Sequence, residues 1–199
     1  MNKLTSIVGI TLLSTFSTAS SAAVLSPTNV SGAGGTYFNL PNISDSYVPR
    51  EFSDWRSNTT FWNGTSRIFT FDYGSLFNIE DVLVSVDNND SYKVEWSTNG
   101  STWADLFQIT VGMGDVWNGM DTMTTFAGAE YVPGIDFAPV QAQYLRIFAT
   151  GGDNSYSVGE LIAYGSAVSA VPIPAAALLF APAFLGFMGL RRKAKNTFA

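Results

Sequence analysis

The sequence predicts an all-β body, on three observations. Short runs alternate apolar and polar residues with period two, as half-buried strands do. Clusters of Asn, Asp and Gly, which tolerate positive φ, punctuate those runs. The composition is rich in aromatics, Thr, Ser, Gly and Asn and poor in Lys and Glu, which favours strands and turns over helices. The 199 residues suffice for one core of ordinary size, about 100–150 residues, with terminal segments to spare. Strands at this spacing predict a β-sandwich or jelly roll.

From the N-terminus, residues 1–23 read as a signal peptide: Lys3, the apolar stretch from Ile7 to Leu13, then Ser21-Ala22-Ala23 with small residues at −3 and −1. Cleavage is predicted after Ala23, leaving a body at 24–166. Within it Val82, Val84 and Val86 share one face, as do Tyr92, Val94 and Trp96, while Leu145 and Ile147 oppose Tyr144, Arg146 and Phe148. The turns between them are Asp87-Asn88-Asn89-Asp90, Thr98-Asn99-Gly100-Ser101 and Gly151-Gly152-Asp153-Asn154. The end of the chain, 167–199, holds Val171-Pro172-Ile173-Pro174-Ala175, an apolar stretch to Leu190 with a transmembrane helix predicted at 175–190, and the basic stop Arg191-Arg192-Lys193. The prolines keep the motif extended, as a processing enzyme would receive it. The 20 residues from Val171 to Leu190 make about 30 Å of helix, enough for a bilayer core. The basic triplet would hold the C-terminus in the cytoplasm.

Composition also excludes functions. Between Val24 and Ala170 lie all 16 acidic residues but only five basic ones, Arg50, Arg56, Arg67, Lys93 and Arg146, a net charge of −11. Such a surface repels phosphate backbones, so no nucleic-acid partner is expected, and it permits cation binding. The absence of Cys and His removes disulfides, thiol nucleophiles, Ser-His-Asp triads and zinc sites of imidazole or thiolate. No spacing singles out a carboxylate pair for glycoside hydrolysis. A non-catalytic protein is expected, with Arg146 in a structural role.

The order of motif, apolar span and basic cluster at 171–193 resembles the PEP-CTERM sorting domains of Gram-negative bacteria in their VPxPA class, with Ile173 where the founding motif has Glu. The resemblance implies an exosortase-type membrane transpeptidase as partner. It also implies an inner-membrane intermediate, followed by release to the cell surface or extracellular matrix. The alternative is a permanent single-span anchor.

Three blocks of the body resemble the discoidin (coagulation factor type C) domain, a galactose-binding-like jelly roll. They are RIFTFDYGSLFNIEDVLVSV (67–86), YKVEWSTNGSTW (92–103) and VQAQYLRIFATGGDNSYSVGELIAYG (140–165). The resemblance implies a carbohydrate-binding module with ligands on the loops at one end, and exopolysaccharide as a partner. The alternative is a structural biofilm or matrix protein acting through protein contacts. In segment 112–125, read as a mobile connection, Trp117 either stacks on a ligand or plugs the end of the sandwich. Trp55, beside Asp54 and Arg56, is a second ligand candidate, whereas Trp62, Trp96 and Trp103 are expected to pack in the core. The resemblance further implies that Glu160, in the closing strand, is a ligand of a structural calcium ion. The oxygen-rich turn 87–90 offers four oxygen-bearing side chains to such an ion, and the alternative is an ordinary turn, in which these residues are common.

Overall fold

The computed structural model describes residues 22–168. Most of the signal segment, the 171–175 motif, the apolar span and Arg191-Arg192-Lys193 lie outside the described residues. Among the described residues no helix is long and apolar enough to cross a membrane.

Ten strands make up the body: β1 (Ala23–Leu25), β2 (Asn29–Ala33), β3 (Tyr37–Phe38), β4 (Thr60–Asn63), β5 (Ile68–Asp87), β6 (Ser91–Ser97), β7 (Ala104–Ile109), β8 (Met120–Thr124), β9 (Val140–Gly151) and β10 (Ser155–Ala167). Two short 3-10 turns, Leu40–Ile43 and Pro133–Ile135, are the helical elements described. All strand pairs are antiparallel, and the two layers of the sandwich share β5. The first part of β5, Ile68 to Asp72, lies between β2 and β9, and β9 continues to β6 and β7. The second part pairs with β10 and, at Leu83 to Asp87, with β8; β10 also carries β4 near its start and β1 near its end.

The change of layer occurs where the ladder to β9 slips between Asp72 and Phe77. Gly74 sits there at φ +76°, and its N–H donates to Asp72 Oδ1 at 2.7 Å. A glycine meets that φ without a Cβ clash. The block 67–86 falls almost wholly in this one bent strand, because β9 pairs with residues on both sides of the slip.

The core lies between the layers. Val82, Val84, Val86, Leu145, Ile147, Phe69 and Phe71 are all fully buried, as the alternation requires. Each such side chain contributes about 1.5–3 kcal/mol of transfer free energy. Trp62 on β4 sits at the centre, 4.7 Å from the Phe69 ring and 6.0 Å from Tyr156. Its burial agrees with the expected core role.

Two other tryptophans are only half-buried, Trp96 packed against the core and Trp103 at its edge. A register shift between Val94 and Glu95 breaks the alternation of β6, so Glu95 and Ser97 turn inward while Trp96 stays half-buried. Trp103 is half-buried before β7, covered by the Arg146 guanidinium 4.2 Å from its ring centre. Arg146 in turn donates from Nε to Glu95 Oε2 at 2.6 Å. It thereby neutralises a carboxylate that the shift of β6 has buried.

Candidate functional site

Four loops meet at one end of the sandwich: residues 50–59, the β5–β6 turn, the loop 110–119 and the β9–β10 turn. Backbone hydrogen bonds tie them together. Phe52 N donates to Met120 O (3.0 Å), Met120 N to Ser53 O (3.1 Å), Asn88 N to Gly119 O (3.1 Å) and Gly112 N to Asn88 O (3.0 Å). Gly119 adopts φ +83°, and a Cβ there would lie 2.6 Å from Ser53 O. Only glycine allows so close a crossing.

These loops enclose a groove of about 490 Å³, lined by Phe52, Asp54, Trp55, Asp87, Asn89, Asn118 and Asp153. Trp55 is half-buried, with Phe61 edge-on at 5.6 Å and the Arg56 guanidinium 4.4 Å from its ring centre. Phe52 is 58% exposed and Trp117, next to Asn118, is 82% exposed. At that exposure Trp117 does not plug the end of the sandwich, and its ring is open to the surface.

That loop is shorter than the sequence suggested. Met120–Thr124 was expected in a mobile connection but forms β8, with every residue buried against β5. Polar Asp121, Thr122 and Thr124 conceal the strand from a hydrophobic pattern, because loops cover its second face.

The 87–90 turn also differs from an ordinary surface turn, since Asp87, Asn88 and Asp90 are all buried. Burial, with the charges of Asp153 and Asp54, pushes Asp87 up to about 6. Burial pushes Asp90 to about 7, although the Asp153 N–H, 3.1 Å from Asp90 Oδ1, opposes the shift. Asn89 Nδ2 donates to Asp153 Oδ2 at 3.1 Å, leaving Asn89 Oδ1 and both polar atoms of Asn88 without a protein partner. Buried polar atoms of this kind ordinarily find a partner.

Glu160 lies elsewhere, on β10, against a cavity of about 360 Å³ that Ser26, Thr28, Asn29, Ser44 and Ser46 also line. It is buried, and its Oε2 has no hydrogen-bond partner. Burial raises its carboxyl to about 7; the backbone N–H groups of Ser46 and Tyr47 lower it, and the Asp45 carboxyl raises it further. Two carboxylates, several hydroxyls and an amide make an oxygen donor set suited to a hard cation such as calcium.

No protein-family model matches the sequence, and no curated protein does. Solved structures do. A truncated AlyQ with CBM32 and alginate lyase domains matches at TM-score 0.50 and 18% identity over 75% of this chain and 34% of that one. This chain therefore spans about a third of that protein's length. Chitosan-binding module 1 of a chitosanase/glucanase from Paenibacillus sp. IK-5 matches at 0.46 and 19% over 71% and 97% of the two chains. CBM32-1 from a family 31 glycoside hydrolase of Clostridium perfringens matches at 0.47 and 16% over 70% and 96%. At these identities the likeness is one of fold: an all-β, discoidin-like sandwich.

Proposed function

We propose that the body is a non-catalytic carbohydrate-binding module whose site is the groove at the loop end. The observation that carries this reading is the pairing of the aromatic rings of Phe52 and Trp55 with hydrogen-bonding side chains such as Asp54, Asn89, Asn118 and Asp153 in one concave surface, with the exposed ring of Trp117 next in sequence to Asn118. Sugars present apolar C–H faces that stack on rings and hydroxyls that carboxylates and amides can fix. The fold shared with a structure carrying a CBM32 domain supports the same class. Asp54, Asp87 and Asp153 give the groove an acidic lining. Neutral or amine-bearing glycans therefore suit it better than uronates, which like-charge repulsion disfavours.

In this proposal Glu160 and Asp45 hold a structural calcium ion away from the groove. The terminal segments deliver the body: export by residues 1–23, then recognition of Val171, Pro172, Ile173, Pro174 and Ala175 by an exosortase-type transpeptidase. The protein passes through the inner membrane and ends at the cell surface or in the matrix. An intact-mass measurement of the mature C-terminus in fractionated cells tests delivery, since sorting predicts a species ending within 171–175. A full-length tail in the inner membrane refutes it.

Binding is tested by titrating neutral, amino and acidic polysaccharides into the full-length protein. Trp117→Ala should weaken binding about tenfold or more, the equivalent of ~1.4 kcal/mol. A folded wild type that binds no glycan in the panel overturns the proposal.

A further inference from the structure

We propose that Glu51, Asp115 and Asp121 form a divalent-cation site, filled by calcium, which fastens the loop bearing Trp117 to the segment that carries Phe52. One carboxylate oxygen from each residue lies within 4.8 Å of the others. Oxygens bound to one calcium ion at about 2.3–2.6 Å fall within that spacing of one another.

The second, independent observation is the state of Asp121. Its side chain is fully buried on β8, and its Oδ1 has no hydrogen-bond partner. Its Oδ2 accepts from Val116 N at 3.3 Å. Gly114, at φ +102°, brings the loop backbone so close that a Cβ there would stand 2.2 Å from Asp121 Oδ2. The loop is thus moulded over a carboxylate that retains an unused oxygen, a costly arrangement unless something binds it.

Among the described residues no side-chain cation pairs with these carboxylates; the ion pairs join Lys93 and Arg146 to Glu95 and Asp105. A fourth carboxyl, Glu130, contacts Glu51 and adds to the repulsion. Burial and the charges of Asp115 and Glu51 push Asp121 to about 6. A divalent ion would relieve both the repulsion and the orphaned oxygen at once.

The three residues come from three segments, the 50–59 loop, the 110–119 loop and β8, so one ion would cross-link them. Phe52 follows Glu51, and Asn118 and Gly119 follow Asp115 within the same loop. Both segments also line the groove. The ion would therefore set the groove before a ligand arrives, which reduces the ordering cost of binding. That coupling rests on the groove reading, whereas the cation site itself does not.

Terbium(III) tests the site in the full-length protein, because the Trp117 indole, two residues from Asp115, can sensitise its emission. Asp115 is exposed, so Asp115→Asn should fold. The expected result is sensitised emission that calcium displaces, that survives Glu160→Gln, and that Asp115→Asn weakens about tenfold or more in calcium titrations. Wild-type emission and calcium affinity in Asp115→Asn overturn the site, as does the absence of terbium binding in both wild type and Glu160→Gln. Asp121→Asn provides the second variant, and circular dichroism confirms that each is folded. A confirmed site with glycan affinity unchanged by calcium overturns the coupling alone. A confirmed site in a protein that binds no glycan overturns the groove reading and leaves the ion.

Discussion

In calcium-free buffer, Glu160→Gln should make the protein more stable than the wild type at pH 8 and not at pH 5. The carboxyl of Glu160 is held at about 7 in the folded protein against an ordinary value of 4.5. The folded state therefore binds this proton more tightly than the unfolded chain. Stability from this group is fully present below about pH 4.5 and is lost as pH rises through 7. At about 1.4 kcal/mol per pH unit, the loss approaches 3 kcal/mol by pH 8. Glutamine keeps an oxygen for the Ser46 and Tyr47 N–H groups but has nothing to ionise. For a body of this size, 1 kcal/mol corresponds to roughly 2–4 °C, so the variant should melt about 6–12 °C higher than the wild type at pH 8 in chelator. Calcium should reverse the order once it is about a thousand times above Kd, because the wild type alone gains the ion at this position, about 4.1 kcal/mol at that concentration. Scanning calorimetry at pH 5 and pH 8, with chelator and with calcium, reads all four conditions. The reasoning is refuted if the wild type is the more stable at pH 8 in chelator. A calcium-induced rise undiminished in the variant refutes the ion at Glu160.

Other substitutions probe the frame. Arg146→Ala removes the hydrogen-bonded partner of Glu95 and leaves it Lys93 Nζ at 3.7 Å, while 11% of the Glu95 side chain is exposed; a loss of about 2–3 kcal/mol in urea unfolding is expected, and a loss below about 1 would show that Lys93 suffices for the carboxylate. Trp117→Ala should change stability by less than about 0.5 kcal/mol, since the ring is 82% exposed; a larger drop in melting temperature would mean that the ring is structural. Gly165→Ala places a Cβ 2.0 Å from the backbone oxygen of Asn78, so β10 and β5 must part there at a cost of about 1–3 kcal/mol, visible as faster amide exchange near β1.

The strands that alternate cleanly were legible because burial on one face is what alternation encodes. The valines of β5 and the pair Leu145 and Ile147 are fully buried, as expected. Where two faces are covered, the code fails. β8 reads as polar because Asp121 and Thr122 lie under loops instead of facing solvent. The shift at Val94 and Glu95 left no mark that periodicity could register. Trp117 and Trp55 could be nominated because large rings among Gly, Asn and Asp are conspicuous. The other groove residues Asp87, Asn118 and Asp153 could not, because residues common in every turn gain meaning only when distant turns converge. Glu51, Asp115 and Asp121 escaped notice for the same reason: 64 and six positions separate neighbours that share a few ångströms in space.

The run of β10 also has a mechanical consequence. The strand begins at Ser155, two residues after Asp153 of the groove, and runs 13 residues to Ala167, roughly 40 Å at about 3.3 Å per residue. A body tethered through the chain beyond Ala167 would carry its groove at the far tip of a stiff spar. Tension between a captured ligand and the tether would then run along β10 and β5. Their ladder bonds lie across that direction, so the load would fall on many hydrogen bonds in shear at once, and the strands would not unzip one rung at a time.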